Sequence, residues 1–282
     1  MKTRVGFVGQ GFVGKHMADD FEKRGYETVR YSLEKPYNQN KYKIGTCNVI
    51  FIAVPTPTTE HGFDFSAVKS ALKLLKKDSV AVIKSTILPG TTEKLQDIFS
   101  NLYVMHSPEF LREKTAADDT SHPERNIVGI PKDTEAFQKK AELVLSILPY
   151  APYAVITSSV NAECVKYIGN TFLHTKLIFM NMAYDFVTAA GANWETVREA
   201  VTQDARIGTS HTQPVHEDGR GAGGHCFIKD FEAFLDHYKH TVSDSHAIAI
   251  LEAIRNKNNK LLLESQKDLE LLKGVYGENI PI

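Results

Sequence analysis

The residues of this chain best suited to chemistry lie in one run, Gly219-Arg220-Gly221-Ala222-Gly223-Gly224-His225-Cys226-Phe227-Ile228-Lys229-Asp230. Glycines let a backbone come close to a ligand and take conformations that a Cβ forbids. A thiol at the rim of such a segment can be reached, and the thiolate is its nucleophilic form. Lys229 is a nearby cation able to favour that form, and Asp230 can cap a following helix or handle protons. The competing explanation is a glycine-rich turn with an incidental buried cysteine.

A second cluster stands at the other end of the chain. An apolar strand, Arg4 to Val8, runs into Gly9-Gln10-Gly11-Phe12-Val13-Gly14. Glycines in this G-x-G-x-x-G spacing, between a strand and a helix, allow a tight turn, close approach of a pyrophosphate and helix–strand packing. The helix start adds N–H groups and positive dipole. The next strand, Glu27 to Tyr31, is followed by Ser32 where an acidic residue would hold the adenosine ribose. With Arg30 and Lys35 nearby, the choice between NAD and NADP stays open. Further strands, Val49 to Val54 and Val80 to Ile83, end in Val54-Pro55-Thr56 and in Lys84-Ser85-Thr86. Ligands of open α/β sheets lie at such carboxyl ends, so the Ser85 and Thr86 hydroxyls are candidate cofactor contacts. A strand from Leu102 to Met105 leads to Glu109 and Glu113, which share a face if the segment is helical. Two solvated glutamates are the simpler account of that pair.

These residues need elements to hold them. Strand and helix alternate for about 155 residues, which predicts a Rossmann-type, doubly wound, mostly parallel α/β sheet. From Ser159 to about Ala190 the pattern becomes helical without proline, and Gly191 is placed to end it. Lys166 and Asn170 share one face of this long helix, either edging a surface stripe or pointing donors into a site. Tyr37 to Thr46 reads as polar and irregular. The last helix is expected over Ser245 to Leu272, with Gly274 and Gly277 in a polar tail. The expected division is a cofactor-binding domain over 1–157 and an all-α central domain over 158–282, built on the long helix.

The 282 residues carry a net charge of −1, 42% hydrophobic and 24% charged residues, and three cysteines. No global field points to nucleic acid or an anionic membrane, and three cysteines are too few for a disulfide framework. Lys2 and Arg4 before an apolar stretch imitate a secretory leader, but Gly6, Gly9, Gly11 and Gly14 interrupt it. A soluble, cytoplasmic protein is expected, with no nucleic-acid or membrane partner and no metal. The apolar circumference of the long helix suggests a homodimer.

The motifs, taken together, resemble the UDP-glucose/GDP-mannose dehydrogenase family, in particular its UDP-glucose 6-dehydrogenase branch. The carrying stretches are Gly9–Gly14, Ile52-Ala53-Val54-Pro55-Thr56-Pro57, Ser85-Thr86 with Pro89-Gly90-Thr91, and Ser107-Pro108-Glu109-Phe110-Leu111-Arg112-Glu113. They continue in Ala162-Glu163, Lys166-Tyr167 and Asn170, then Asp204 with Arg206-Ile207-Gly208, and finally Gly223-Gly224, Cys226-Phe227 and Lys229-Asp230. The resemblance implies two-step oxidation of a nucleotide sugar, UDP-glucose to UDP-glucuronate, with NAD used twice and Cys226 carrying a thiohemiacetal and then a thioester.

The same resemblance implies that Lys166 and Asn170 stabilise oxyanion charge, that Asp230 and Thr86 handle protons with a water, and that Glu113 and Glu109 serve hydrolysis and electrostatics. It adds Glu113 and Lys229 to the cofactor contacts. For the substrate it implies Glu109, Phe110, Leu111, Arg112, Lys166, Asn170, Gly223 and Arg206. Ser32, Met182 after Asn181, and Ala222 and His225 depart from the family pattern. The resemblance also implies a C-terminal nucleotide-sugar-binding domain that this sequence is expected to lack. The alternatives are a non-catalytic cofactor-binding or assembly subunit and a dehydrogenase of another alcohol.

Overall fold

The computed structural model describes residues 3–216 and 219–282; Lys2, part of the leader-like start, lies outside them. The chain divides into two compact units: residues 1–56 with 64–166, and residues 57–63 with 167–282.

The first unit is a seven-stranded sheet in the order β2-β1-β3-β6-β7-β8-β9. Its strands are β1 Val5–Val8, β2 Thr28–Tyr31, β3 Val49–Ile52, β6 Val80–Ile83, β7 Tyr103–His106, β8 Arg125–Ile130 and β9 Tyr153–Ser158. Neighbours pair in parallel except β7 and β8, which meet antiparallel at His106 and Gly129. The fold is thus the mostly parallel α/β sheet that the alternation predicts. β1, β3 and β6 are buried along their whole lengths, which is why each is a continuous apolar run rather than an alternating one. Phe7 of β1 stacks on Phe51 of β3, with ring centroids 5.6 Å apart, and Phe21 closes the cluster edge-on. The helices of this unit are α1 Phe12–Lys23, α2 Lys41–Ile44, α3 Ser66–Leu72, α4 Thr91–Ile98, α5 Ala116–Ser121 and α6 Glu135–Ile147. The stretch expected to be irregular, Tyr37 to Thr46, contains a 3-10 turn at Tyr37–Asn40 and then α2, because Ile44 is fully buried and anchors it.

β1 sits between β2 and β3, so the strand order reverses there. Sheets of this order bind ligands beyond the carboxyl ends of the strands at that reversal.

The unit boundary falls inside α7, Ser159–Ala189, which Gly191 follows at a φ of 72°. The second unit adds α8 Trp194–Thr202, α9 Gly224–Thr241, α10 Ser245–Glu264 and α11 Leu269–Tyr276. It also holds two short antiparallel ladders, β4 Thr58–Thr59 with β5 Gly62–Phe63, and β10 Val215–His216 with β11 Gly219–Arg220. Asn193 caps α8 as its type predicts, accepting the Thr196 N–H at 2.9 Å. The expected final helix is broken: α10 ends at Glu264, and Gln266 and Asp268 take positive φ before α11 begins. The expected polar tail is in fact helical through Gly274, since Leu272 and Val275 bury against Ile228 and Leu262. Among the described residues no helix is long and apolar enough to cross a membrane, and no cluster of ligating side chains suits a metal ion.

Candidate active site

The glycine fingerprint divides its labour. Gly9 takes a φ of 91°, and a Cβ there would lie 2.1 Å from the Ala53 carbonyl at the end of β3. A Cβ on Gly14 would lie 2.0 Å from the Gly9 carbonyl, so α1 can approach β1 only with glycine there. A Cβ on Gly11 would meet nothing within 4 Å. Gly11 is the N-cap of α1 and offers no side-chain cap, which leaves open space in front of a helix start. That is the cradle a pyrophosphate fills. Phe12 is partly exposed and Val13 packs into the sheet core, so the two differ in what they can offer a ligand. Beside them, Val54 N–H donates to Ser85 Oγ at 3.0 Å, Ser85 Oγ donates to the Val54 carbonyl at 2.7 Å, and Thr56 Oγ1 donates to the Thr86 carbonyl at 2.7 Å. The ends of β3 and β6, with Val54, Pro55, Thr56, Ser85 and Thr86, are thereby tied into one rim.

The end of β2 bears on the choice between NAD and NADP that the sequence leaves open. Arg30 is not available to a 2′-phosphate: its guanidinium binds Asp19 at 2.6 Å and Glu22 at 2.6 and 2.8 Å on α1. Those two acids raise its pKa despite burial, and Arg30 in turn holds Glu22 below its ordinary value. Ser32 Oγ donates to the Glu34 carbonyl at 3.0 Å.

A buried charge cluster lies beyond β6 and β7. Lys166 Nζ donates to both the carbonyl and Oε1 of Glu109, each at 2.8 Å. Leu111 N–H donates to the other carboxylate oxygen at 2.9 Å. Burial opposes ionisation of Glu109, but Lys166, Leu111 N–H and Lys84 outweigh it and lower its pKa. Lys84, directly before the Ser85 and Thr86 hydroxyls, is a further member of this cluster. It is buried, donates to Ser107 Oγ at 3.2 Å and to the Pro108 carbonyl at 3.0 Å, and is pulled down to about 8 by burial. The sequence clue was a lysine directly after the four apolar residues of β6.

Lys166 therefore points inward. The chain between Glu109 and Glu113 is not helical, so the condition for a shared face fails; Glu113 starts a 3-10 turn and is exposed, as a solvated glutamate would be, whereas Glu109 is bound by Lys166. Arg112 is exposed and bonded to Asp119, while Arg125 lies over the Phe110 ring at 3.8 Å. Glu163, in the first turns of α7, has no exposure and accepts from Gly90 N–H at 2.6 Å and Thr92 N–H at 2.8 Å. It supplies the cap that Gly90 lacks at the start of α4, and burial pushes it up to about 7 against those bonds.

In the second unit, the glycine–cysteine run ends its turn earlier than expected. Gly223 is the N-cap of α9, so Cys226 sits in the first turn of an 18-residue helix, and it is exposed rather than buried. Thiolates are favoured at such helix starts. Asp230 lies inside α9 rather than capping a later helix; it is 1% exposed. Asn170 Nδ2 donates to its Oδ2 at 2.6 Å, and Lys229 Nζ to its Oδ1 at 2.5 Å. Lys229 is thus engaged by Asp230. Asn258 on α10 was not foreseen: it accepts the Ala222 N–H at 2.7 Å and donates to the Ala222 carbonyl at 3.1 Å, pairing the turn as a strand would. Arg206 is exposed and bonded to Asp204 at 2.6 Å.

Residues 23–147 match the NAD binding domain of the UDP-glucose/GDP-mannose dehydrogenase family, and residues 160–260 match its central domain. The chain is 32% identical to the UDP-glucose 6-dehydrogenase of Rickettsia prowazekii, over 94% of this chain and 61% of that protein. It is 30% identical to that of Bacillus subtilis, over 90% of this chain and 57% of that protein. It spans about three fifths of the length of these curated relatives. The solved UDP-glucose dehydrogenase of Pyrobaculum islandicum aligns with a TM-score of 0.82 at 25% identity, covering 97% of this chain and 71% of that one. With both domain models matched in order and a relative above 30% identity along nearly the whole chain, the protein belongs to the UDP-glucose/GDP-mannose dehydrogenase family.

Proposed function

We propose that this chain performs NAD-dependent oxidation of a nucleotide sugar, UDP-glucose to UDP-glucuronate, as a cytoplasmic homodimer. The observation that carries the proposal is Cys226 exposed in the first turn of α9, one turn ahead of a buried Asp230 gripped by Asn170 and Lys229. Gly9, Gly11, Gly14 and the rim of Val54, Thr56, Ser85 and Thr86 would hold NAD, whose part is to accept a hydride in each of two oxidations.

In this reading Asp230, with Thr86 and a water, takes the alcohol proton as the carbon gives up its first hydride and becomes an aldehyde. The Cys226 thiolate adds to that carbonyl and forms a thiohemiacetal, which still carries the hydrogen for the second oxidation. Loss of that hydride, with the hydroxyl proton, leaves a thioester. Water adds to the thioester carbonyl, the C–S bond breaks, and the products are a carboxylate and the free thiol. Lys166 and Asn170 supply donors for the oxyanion that develops at each addition. Glu109 holds Lys166 Nζ through its carbonyl and Oε1, each at 2.8 Å, and so fixes its direction.

The test is to mix the purified protein with NAD and a panel of UDP- and GDP-sugars and follow reduced cofactor. Two reduced cofactors per sugar are expected, with turnover abolished by Cys226→Ala and a covalently stalled species in Cys226→Ser. Cofactor binding without turnover on any sugar would overturn the enzymatic reading in favour of a non-catalytic subunit.

A further inference from the structure

Asp268 stands at the N-cap of α11, yet its side chain makes no bond to that helix. Its Oδ2 instead accepts the N–H of Gly224, the first residue of α9, at 2.8 Å. The N-cap of α9 is Gly223, which has no side chain to serve its own helix. The carboxylate occupies the space a side chain there would need, since a Cβ on Gly223 would lie 1.8 Å from Asp268 Oδ2. To reach across, Asp268 holds a φ of 53°, a left-handed conformation uncommon outside glycine. Ser265, in the same break between α10 and α11, accepts the Arg220 N–H at 3.0 Å, and Lys267 Nζ donates to the His216 carbonyl at 2.9 Å. The break that interrupts the final helix therefore faces the glycine run and holds it at several backbone points.

We propose that Asp268 is a positioning residue for Cys226: a cap lent from α11 that fixes the first turn of α9 and so the direction of the thiol. The proposal rests on Cys226 being the nucleophile. Four N–H groups at a helix start have no partner within the helix, and a first turn without a cap frays. Cys226 lies two residues past Gly224, inside that turn, so fraying would swing the sulfur and remove the aligned N–H groups that favour thiolate. A carboxylate from outside the helix also explains the need for glycine at 223, where a capping serine or aspartate would collide with it.

The test compares Asp268→Ala, Asp268→Asn and Gly223→Ala with the wild type in two measurements that need no substrate. Hydrogen exchange of the Gly224–Ile228 amides is expected to speed up about tenfold in Asp268→Ala and to stay near wild type in Asp268→Asn, since asparagine caps as well as aspartate. Site-resolved alkylation of Cys226 at neutral pH is expected to slow several-fold in Asp268→Ala and to recover in Asp268→Asn, with Cys164 as the internal reference. Gly223→Ala keeps Asp268 but displaces its carboxylate, and should reproduce both changes if Asp268→Ala fails to fold. Unchanged exchange and alkylation in Asp268→Ala or Gly223→Ala would overturn the proposal, as would an asparagine variant that behaves like alanine. If the wild type oxidises no nucleotide sugar while these measurements behave as expected, the enzymatic reading fails and the cap stands.

Discussion

Lys84 shows how much a single buried charge can say. Its ammonium is buried between the Ser107 hydroxyl, the Pro108 carbonyl and the field of Glu109, and burial pulls it from 10.5 down to about 8. Between those values the unfolded chain binds the proton that the folded chain has released, so this group makes stability rise with pH from about 8 to 10.5. Lys84→Met removes that contribution. Urea denaturation at several pH values should show the wild type gaining on the variant by about 3 kcal/mol across that window. A constant difference would mean that Lys84 stays charged, with Glu109 outweighing burial. Lys166 and Asn170 were legible as residue types at helical spacing, and Asp230 as the acid that follows the glycine–cysteine run. Their partners were not, because Lys166 meets Glu109 and Asn170 meets Asp230 across 57 and 60 residues of chain. No local pattern records such pairings.

Elements were legible where one force dominates. β1, β3 and β6 are four-residue apolar runs buried on both faces, and such runs leave little choice of structure. The break before α11 was hidden for the opposite reason: no glycine or proline marks it, and Gln266 and Asp268 adopt left-handed backbone imposed by tertiary contacts. The strand-to-helix turn of the fingerprint lies between these cases, since its glycines are visible but their tasks differ. Gly14→Ala forces a methyl to within 2.0 Å of the Gly9 carbonyl and should cost about 2–3 kcal/mol in unfolding experiments. Gly11→Ala meets nothing within 4 Å and should keep wild-type stability. Its methyl would stand where the pyrophosphate comes close, so NAD affinity measured by calorimetry should fall at least about tenfold, or about 1.4 kcal/mol. Equal stability loss in both variants would remove the argument that Gly11 is kept open for a ligand.

At the scale of the whole molecule, the unexplained surface is one face of α7. Ile168, Phe172, Phe179, Met182 and Phe186 recur at steps of three, four and seven along it, and they are 61%, 65%, 59%, 44% and 76% exposed. Steps of this kind keep side chains on one stripe, and large aromatic side chains left in water along a stripe mark an association surface. Covering each would contribute roughly 1.5–3 kcal/mol before the cost of association, enough in sum for a stable pair. A second copy of the same helix is a self-complementary occupant, because two-fold pairing brings the stripe against itself. Sedimentation at micromolar concentration should therefore give a dimer for the wild type and a monomer for Phe172→Glu combined with Phe186→Glu, with helical content by circular dichroism unchanged. A wild type that sediments as a monomer throughout this range would assign the stripe to a different occupant. A double variant that stays dimeric would place the interface elsewhere on the surface.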